Sequence, residues 1–123
     1  MNTIIEAIRR SALGPPDKKD PDTIVRRYRF DDDFLGFSGH FPGYPILPAV
    51  MQLTAALCLI EEQKGRHLHL KSIQNAKFLQ EIRPGSEILI QCIDCLVKGL
   101  PGSRIQIYSG DKIAASFLMI FSE

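Results

Sequence analysis

Between Pro48 and Glu62 the chain carries Ala49, Val50, Met51, Leu53, Ala55, Ala56, Leu57, Cys58, Leu59 and Ile60, and no polar face opens until Glu61. An apolar stretch of about fifteen residues predicts a helix about 22 Å long. Proline suits its first turn, Lys64 its last, and Gly65 supplies the stop. A helix that is apolar nearly all round must be covered by other elements.

The remaining periodicities say what covers it. Thr3 to Leu13 sets Ile4, Ile5, Ile8 and Ala12 on one stripe, which predicts an amphipathic helix ended by Gly14-Pro15-Pro16. The charged segment Asp17 to Asp22 reads as a loop. Thr23 to Phe30 alternates Ile24, Tyr28 and Phe30 against Arg27 and Arg29, a strand pattern. Four more strands follow the long helix, over Lys71 to Glu81, Glu87 to Val97, Arg104 to Tyr108 and Lys112 to Phe121. Pro84-Gly85, Gly99-Leu100-Pro101-Gly102 and Ser109-Gly110-Asp111 are the turns between them. An antiparallel sheet that has to bury such a helix must curl around it. The expected class is α+β, with the hot-dog architecture.

Composition narrows the function classes. With 123 residues, 45% of them hydrophobic, residues 1–123 suffice for one domain with a core of its own. Fifteen basic against fourteen acidic side chains leave a net charge of +1, so neither a nucleic acid nor an anionic membrane is an expected partner. No apolar run approaches the roughly 20 residues that span a bilayer, and Met1 to Glu6 lacks the basic start of a secretion signal. A cytoplasmic location is expected. The three cysteines fit reduced thiols. Cys92 and Cys95 lie three apart on a strand and point to opposite faces, which argues against a zinc or redox pair, and Cys58 reads as helix packing.

Candidate chemistry concentrates in Gly39-His40-Phe41-Pro42-Gly43-Tyr44-Pro45-Ile46-Leu47-Pro48, where three prolines within seven residues brace a loop carrying one histidine. Together with Phe37-Ser38 before it, this segment resembles, nearly residue for residue, the histidine loop of the β-hydroxyacyl-acyl-carrier-protein dehydratases of fatty-acid synthesis, the FabZ/FabA type. Lys77-Phe78 with Pro84-Gly85 resembles the strand and turn that follow in that family. The resemblance covers almost the whole chain. It implies a hot-dog homodimer with two active sites at the subunit interface, each taking the histidine of one chain and an acidic residue from the central helix of the other. It also implies an acyl-carrier-protein or CoA thioester as substrate.

Dehydrating a 3-hydroxyacyl thioester requires a base for the α-proton, stabilisation of enolate-like charge and a proton for the leaving hydroxyl. His40 is the candidate base, since imidazole titrates near neutrality. In the resembling family the oxyanion donor corresponds to Ala49, with Val50 adjacent, at the start of the long helix. Gly43 and Tyr44 complete the loop side of the expected substrate site. Tyr44 would gate an acyl tunnel or shield Pro45, and Met51 and Leu53 would line that tunnel or serve as plain core. No metal or organic cofactor is required.

Two positions depart from the family pattern. Fourteen residues after His40, where the family has its acid, this chain has Thr54, and a hydroxyl is no substitute for a carboxylic acid in proton delivery. Ala49 stands where the family has glycine, adding a methyl group where the thioester approaches. Gln52, near the helix start, could position a water or the carbonyl, or bond to neighbouring backbone. Glu61 and Glu62 lie too far along the helix for the acid's role and read as solvated helix-end charges. Asp31, Asp32 and Asp33 read first as a turn or cap. His67 and His69 share a strand face with no recognisable third metal ligand. Arg9, Arg10, Lys18, Lys19, Arg26, Arg27 and Arg29 form a basic set that could meet an acidic carrier protein. Three functions are therefore in view. They are a dehydratase-like lyase using His40, a non-catalytic acyl-thioester or acyl-carrier binding protein that has lost the acid, and a hot-dog thioesterase.

Overall fold

The computed structural model describes residues 3–37 and 43–122. Its elements are α1 (Thr3–Arg10), β1 (Asp17–Asp20), β2 (Thr23–Arg29), a 3-10 turn (Leu35–Phe37), α2 (Ala49–Lys64), β3 (His69–Phe78), β4 (Glu87–Val97), β5 (Leu100–Ser109) and β6 (Lys112–Ser122). The strands form one curved antiparallel sheet in the order β1-β2-β4-β5-β6-β3, with α2 on it, the hot-dog arrangement that the sequence predicts.

The long helix ends as its sequence dictates. Pro48 is its extended N-cap, and Gly65, at φ 70°, donates its N–H to the Glu61 carbonyl at 2.8 Å. Its inner side buries Ala55, Ala56 and Leu59 completely, against a core that includes Ile90, Ile105, Ile107, Ala115 and Met119. Each large aliphatic side chain buried in this way contributes roughly 1.5–3 kcal/mol by its removal from water. The expectation of cover on every side is corrected. Ala49 and Val50 are exposed, Val50 by 54%, and Leu53, Thr54 and Leu57 are only half-buried, so one flank of α2 is not enclosed by its own sheet.

Element boundaries show where periodicity fails. Asp17 to Asp20 is an edge strand rather than a loop, pairing with β2 through Asp17↔Val25, Lys18↔Ile24 and Asp20↔Thr23. All four residues are exposed and charged, so backbone bonding forms the strand without any apolar alternation to announce it. Asp20 accepts the Asp22 N–H at 2.9 Å and closes the turn into β2. The helix α1 ends after Arg10 because residues 11–13 turn to pair with β2, Leu13 donating to the Arg27 carbonyl at 2.8 Å and Arg29 to the Ser11 carbonyl at 2.9 Å. The β4–β5 turn is tighter than the Gly99–Gly102 segment. Lys98 and Gly99 both have positive φ, 52° and 82°, and Leu100 and Pro101 already pair with Val97 and Leu96. Pro101 is tolerated because β6 pairing starts only at Gly102, leaving its missing N–H on an open side.

Cys92 is buried and Cys95 half-buried, as opposite faces of β4 require, and burial pushes the Cys92 thiol far above its ordinary range. Burial, reinforced by Glu61, also raises Cys58, to about 11, so both thiols stay protonated at neutral pH. Glu61 and Glu62 are not free charges. Glu62 meets Arg26 at 3.1 Å and Arg9 at 3.4 Å, and Glu61 accepts the Leu68 N–H at 2.8 Å, so both hold the end of α2 to its surroundings.

The core assignment predicts that Ile107→Ala, at a fully buried position, lowers unfolding free energy by about 2–5 kcal/mol, whereas Leu96→Ala, 77% exposed, changes it by less than about 0.5 kcal/mol. Guanidinium unfolding midpoints check the contrast.

Candidate functional site

The residues flanking 38–42 are fixed by packing on both sides. Upstream, Tyr28, Phe30, Phe34 and Phe37 form a continuous buried aromatic row. Ring centroids lie 5.9 Å apart for Tyr28–Phe30, 4.6 Å for Phe30–Phe34 and 5.7 Å for Phe34–Phe37. Backbone bonds from Phe34 to Asp31 and from Phe37 to Phe34 tighten this stretch into its 3-10 turn. The Asp31 to Asp33 cluster thus works as a turn, with Asp31 also facing Arg29 at 3.4 Å. Gly36 is buried beneath it, and a Cβ there would strike the Phe34 ring and the Met51 side chain.

Downstream, Gly43 has φ 82°, a left-handed conformation that favours glycine. Tyr44 is 52% exposed yet doubly held. Its hydroxyl donates to Glu81 Oε1 at 2.8 Å, and the Arg83 guanidinium lies over its ring, 3.7 Å from the centroid. Leu47 is buried and donates its N–H to the Ile82 carbonyl at 2.8 Å. The segment 79–83 therefore braces this side, and it does so by leaving the sheet. Leu79 and Gln80 both donate to the Ala114 carbonyl, after which the expected strand to Glu81 has already ended at Phe78. Sequence reasoning missed Glu81 and Arg83 here, because charges beside a Pro-Gly turn look like ordinary solvated residues.

Beside this brace lies a cavity of about 400 Å³, bounded by Ile46, Leu47, Pro48, Ala49 and Gln52 on one side and by Phe78 to Glu81 on the other. It opens at the N-terminus of α2. Met51 and Gln52 donate their N–H groups to the Pro48 carbonyl, while Ala49 and Val50, at the first two helical positions, have no helical carbonyl to reach. The helix dipole adds partial positive charge at the same end. An apolar pocket whose polar end offers backbone donors suits a chain ending in a carbonyl group.

The expected site residues divide into two groups. Ala49 and Gln52 meet at the cavity, with Gly43 and Tyr44 on the connected loop. Thr54 and Val50 occupy the uncovered flank of α2, and Thr54 does not border this cavity. The Thr54 hydroxyl donates to the Val50 carbonyl at 2.6 Å, an internal helix bond. Gln52 is 5% exposed, and its Nε2 donates to the Leu47 carbonyl at 3.1 Å, the backbone alternative weighed for it. Met51 and Leu53 are partly buried and pack on the core. His40 lies outside the described residues. Of the basic set, Arg9, Lys19, Arg26, Arg27 and Arg29 each face a carboxylate within 4 Å, which offsets much of the positive potential expected for carrier docking.

The Tyr44 hydrogen bond to Glu81, followed by the Glu81 charge, raises the phenol above its ordinary 10.0. The protonated form is the one favoured by folding, so this contribution is intact below pH 10 and disappears as pH rises through the folded value. In a Tyr28→Phe, Tyr108→Phe background, ultraviolet titration should show Tyr44 ionising at lower pH once Glu81→Ala is introduced. An unchanged titration would contradict the contact.

Comparison with known proteins identifies the family and the fold. Residues 16–98 match the family model described as ApeI-like, ApeI dehydratase. A 3-hydroxyacyl-[acyl-carrier-protein] dehydratase FabZ of Halalkalibacterium halodurans is 29% identical, over 77% of this chain and 73% of its own length. Its counterpart from Wolbachia sp. subsp. Drosophila simulans is 32% identical, with this chain spanning 50% of it. Among solved structures, one described as the dehydratase heterocomplex ApeI:P from Xenorhabdus doucetiae superposes with a TM-score of 0.72. It covers 91% of this chain and 96% of its own at 21% identity, a likeness of fold. With more than half of its length matched, the chain belongs to the ApeI-like dehydratase family.

Proposed function

We propose that the protein is a hydro-lyase that interconverts 3-hydroxyacyl and 2-enoyl thioesters carried on an acyl-carrier protein or CoA. The observation that carries this reading is the apolar cavity of about 400 Å³ bordered by Ala49, at the helix N-terminus where the Ala49 and Val50 N–H groups have no helical carbonyl to reach. The thioester carbonyl accepts from these donors. His40, which lies between Phe37 and Gly43 in the sequence, supplies the base. Neutral imidazole removes the proton at C2, and the electron pair moves onto the carbonyl oxygen, where the helix N-terminus stabilises it. Collapse of the enolate forms the C2–C3 double bond and expels the 3-hydroxyl. The imidazolium returns its proton to that group, which departs as water.

Thr54 takes no part in proton delivery in this scheme, because its hydrogen is given to the Val50 carbonyl. A separate general acid is typically worth ~10²–10⁴ in rate, so turnover by His40 alone is slow. The same bond favours a second reading, in which the chain binds acyl thioesters without turning them over.

We also infer a homodimer. The edge strand β3 is exposed along most of its length, Phe78 and Leu79 are 43% and 59% exposed, and they adjoin the start of the incompletely covered α2. A second copy laid against this side would cover both.

Hydration of a crotonyl thioester, followed by loss of the conjugated absorbance, tests the enzyme. Slow hydration is expected from the unaltered protein, none from His40→Ala, and a faster rate from Thr54→Glu. Binding of acyl thioesters with no hydration at any chain length selects the second reading. Release of free thiol would replace both with thioester hydrolysis.

A further inference from the structure

Among the described residues, Gln52 presents a buried polar atom without a partner. Its side chain is 5% exposed, its Nε2 is committed to the Leu47 carbonyl, and its Oε1 is buried with no hydrogen-bond donor. The bond to Leu47 also fixes which end of the amide is oxygen, since a flipped amide would set two acceptors against each other. A buried carbonyl oxygen without a donor is uncommon and destabilising, an arrangement expected where a ligand supplies the missing hydrogen. Gln52 borders the same cavity as Ala49, and by reaching back to Leu47 it brings its amide level with the first turn of α2.

Ala49 and Gln52 therefore border one end of one cavity, with Val50 next along the helix. The Ala49 and Val50 N–H groups take a carbonyl oxygen, and the Gln52 Oε1 takes a hydrogen from a group a few bonds away. A saturated acyl thioester offers no such hydrogen, and an enoyl thioester offers none either. A 3-hydroxyacyl thioester does, from the hydroxyl two carbons beyond the carbonyl. We propose that Gln52 is the hydroxyl-recognition residue of this site, its Oε1 accepting the 3-OH hydrogen of the bound thioester and so selecting 3-hydroxyacyl chains over their 3-deoxy counterparts. With Thr54 turned into its own helix, this bond anchors the leaving group among the described residues, and the oxygen's remaining lone pair stays open to the imidazolium proton. The assignment rests on the thioester reading above and adds the group that distinguishes the hydroxylated substrate.

The test is equilibrium binding of a 3-hydroxybutyryl thioester and a butyryl thioester of pantetheine, in a His40→Ala background where neither turns over. Gln52 as found should favour the hydroxylated ligand by roughly three- to tenfold, the net value of one added hydrogen bond. Gln52→Met should abolish that preference while leaving butyryl affinity within about twofold, a pattern that general loosening of the loop would not produce. Gln52→Glu, which buries a protonated carboxyl with an acceptor oxygen still in place, should retain the preference and so supports the assignment even if the methionine variant fails to fold. Equal affinity of the Gln52 protein for the two ligands would overturn the assignment while leaving thioester binding intact. Failure to bind either ligand would overturn both the assignment and the thioester reading.

Discussion

Everything in this molecule follows from the need to keep α2 out of water. Ala55, Ala56 and Leu59 are fully buried in the concavity of a six-stranded sheet, and their partners on β4, β5 and β6 alternate inward to meet them. Surface ion pairs such as Lys19–Asp17 add at most about 1 kcal/mol each, so the burial of this helix outweighs them in fixing the fold. A helix held this firmly has a fixed N-terminus, and a fixed N-terminus is what an oxyanion site requires. The helix that organises the core is also the one whose N-terminus we propose holds the thioester carbonyl.

The segments on either side of residues 38–42 are held by two unrelated sources. Aromatic stacking from Tyr28 to Phe37 is apolar and continuous with the core, whereas the bracing of Tyr44 by Glu81 and Arg83 is polar and close to the surface. The first resists water and the second tolerates it.

Much of this was legible in the sequence, and the limits have physical causes. The ends of α2 were readable because Pro48, Lys64 and Gly65 each fit one helical position, and β4 was readable because alternation and burial coincide there. β1 was not, because a charged edge strand forms by backbone bonding alone. The Lys98–Gly99 turn was misplaced by two glycines and a proline that also fit a wider one. Hydrophobic content exaggerated the cover over α2, since apolar residues on a helix do not reveal whether their partner is the same chain or another. Ala49, Gln52 and Tyr44 were legible as candidate site residues by position, yet the unpartnered oxygen of Gln52, the inward bond of Thr54 and the contribution of Glu81 and Arg83 are contacts that only coordinates can express.

The uncovered flank of α2 is thus the most consequential feature that the single chain leaves open, and its mass in solution is the most direct measure of it. Sedimentation equilibrium should return twice the 13.8 kDa chain mass for the unaltered protein. Val50→Glu, which sets a charge on the exposed apolar flank, should shift the equilibrium to the single chain. A mass of 13.8 kDa for the unaltered protein at every concentration would contradict the account, because α2 would then stand stably half-covered with nothing laid against it.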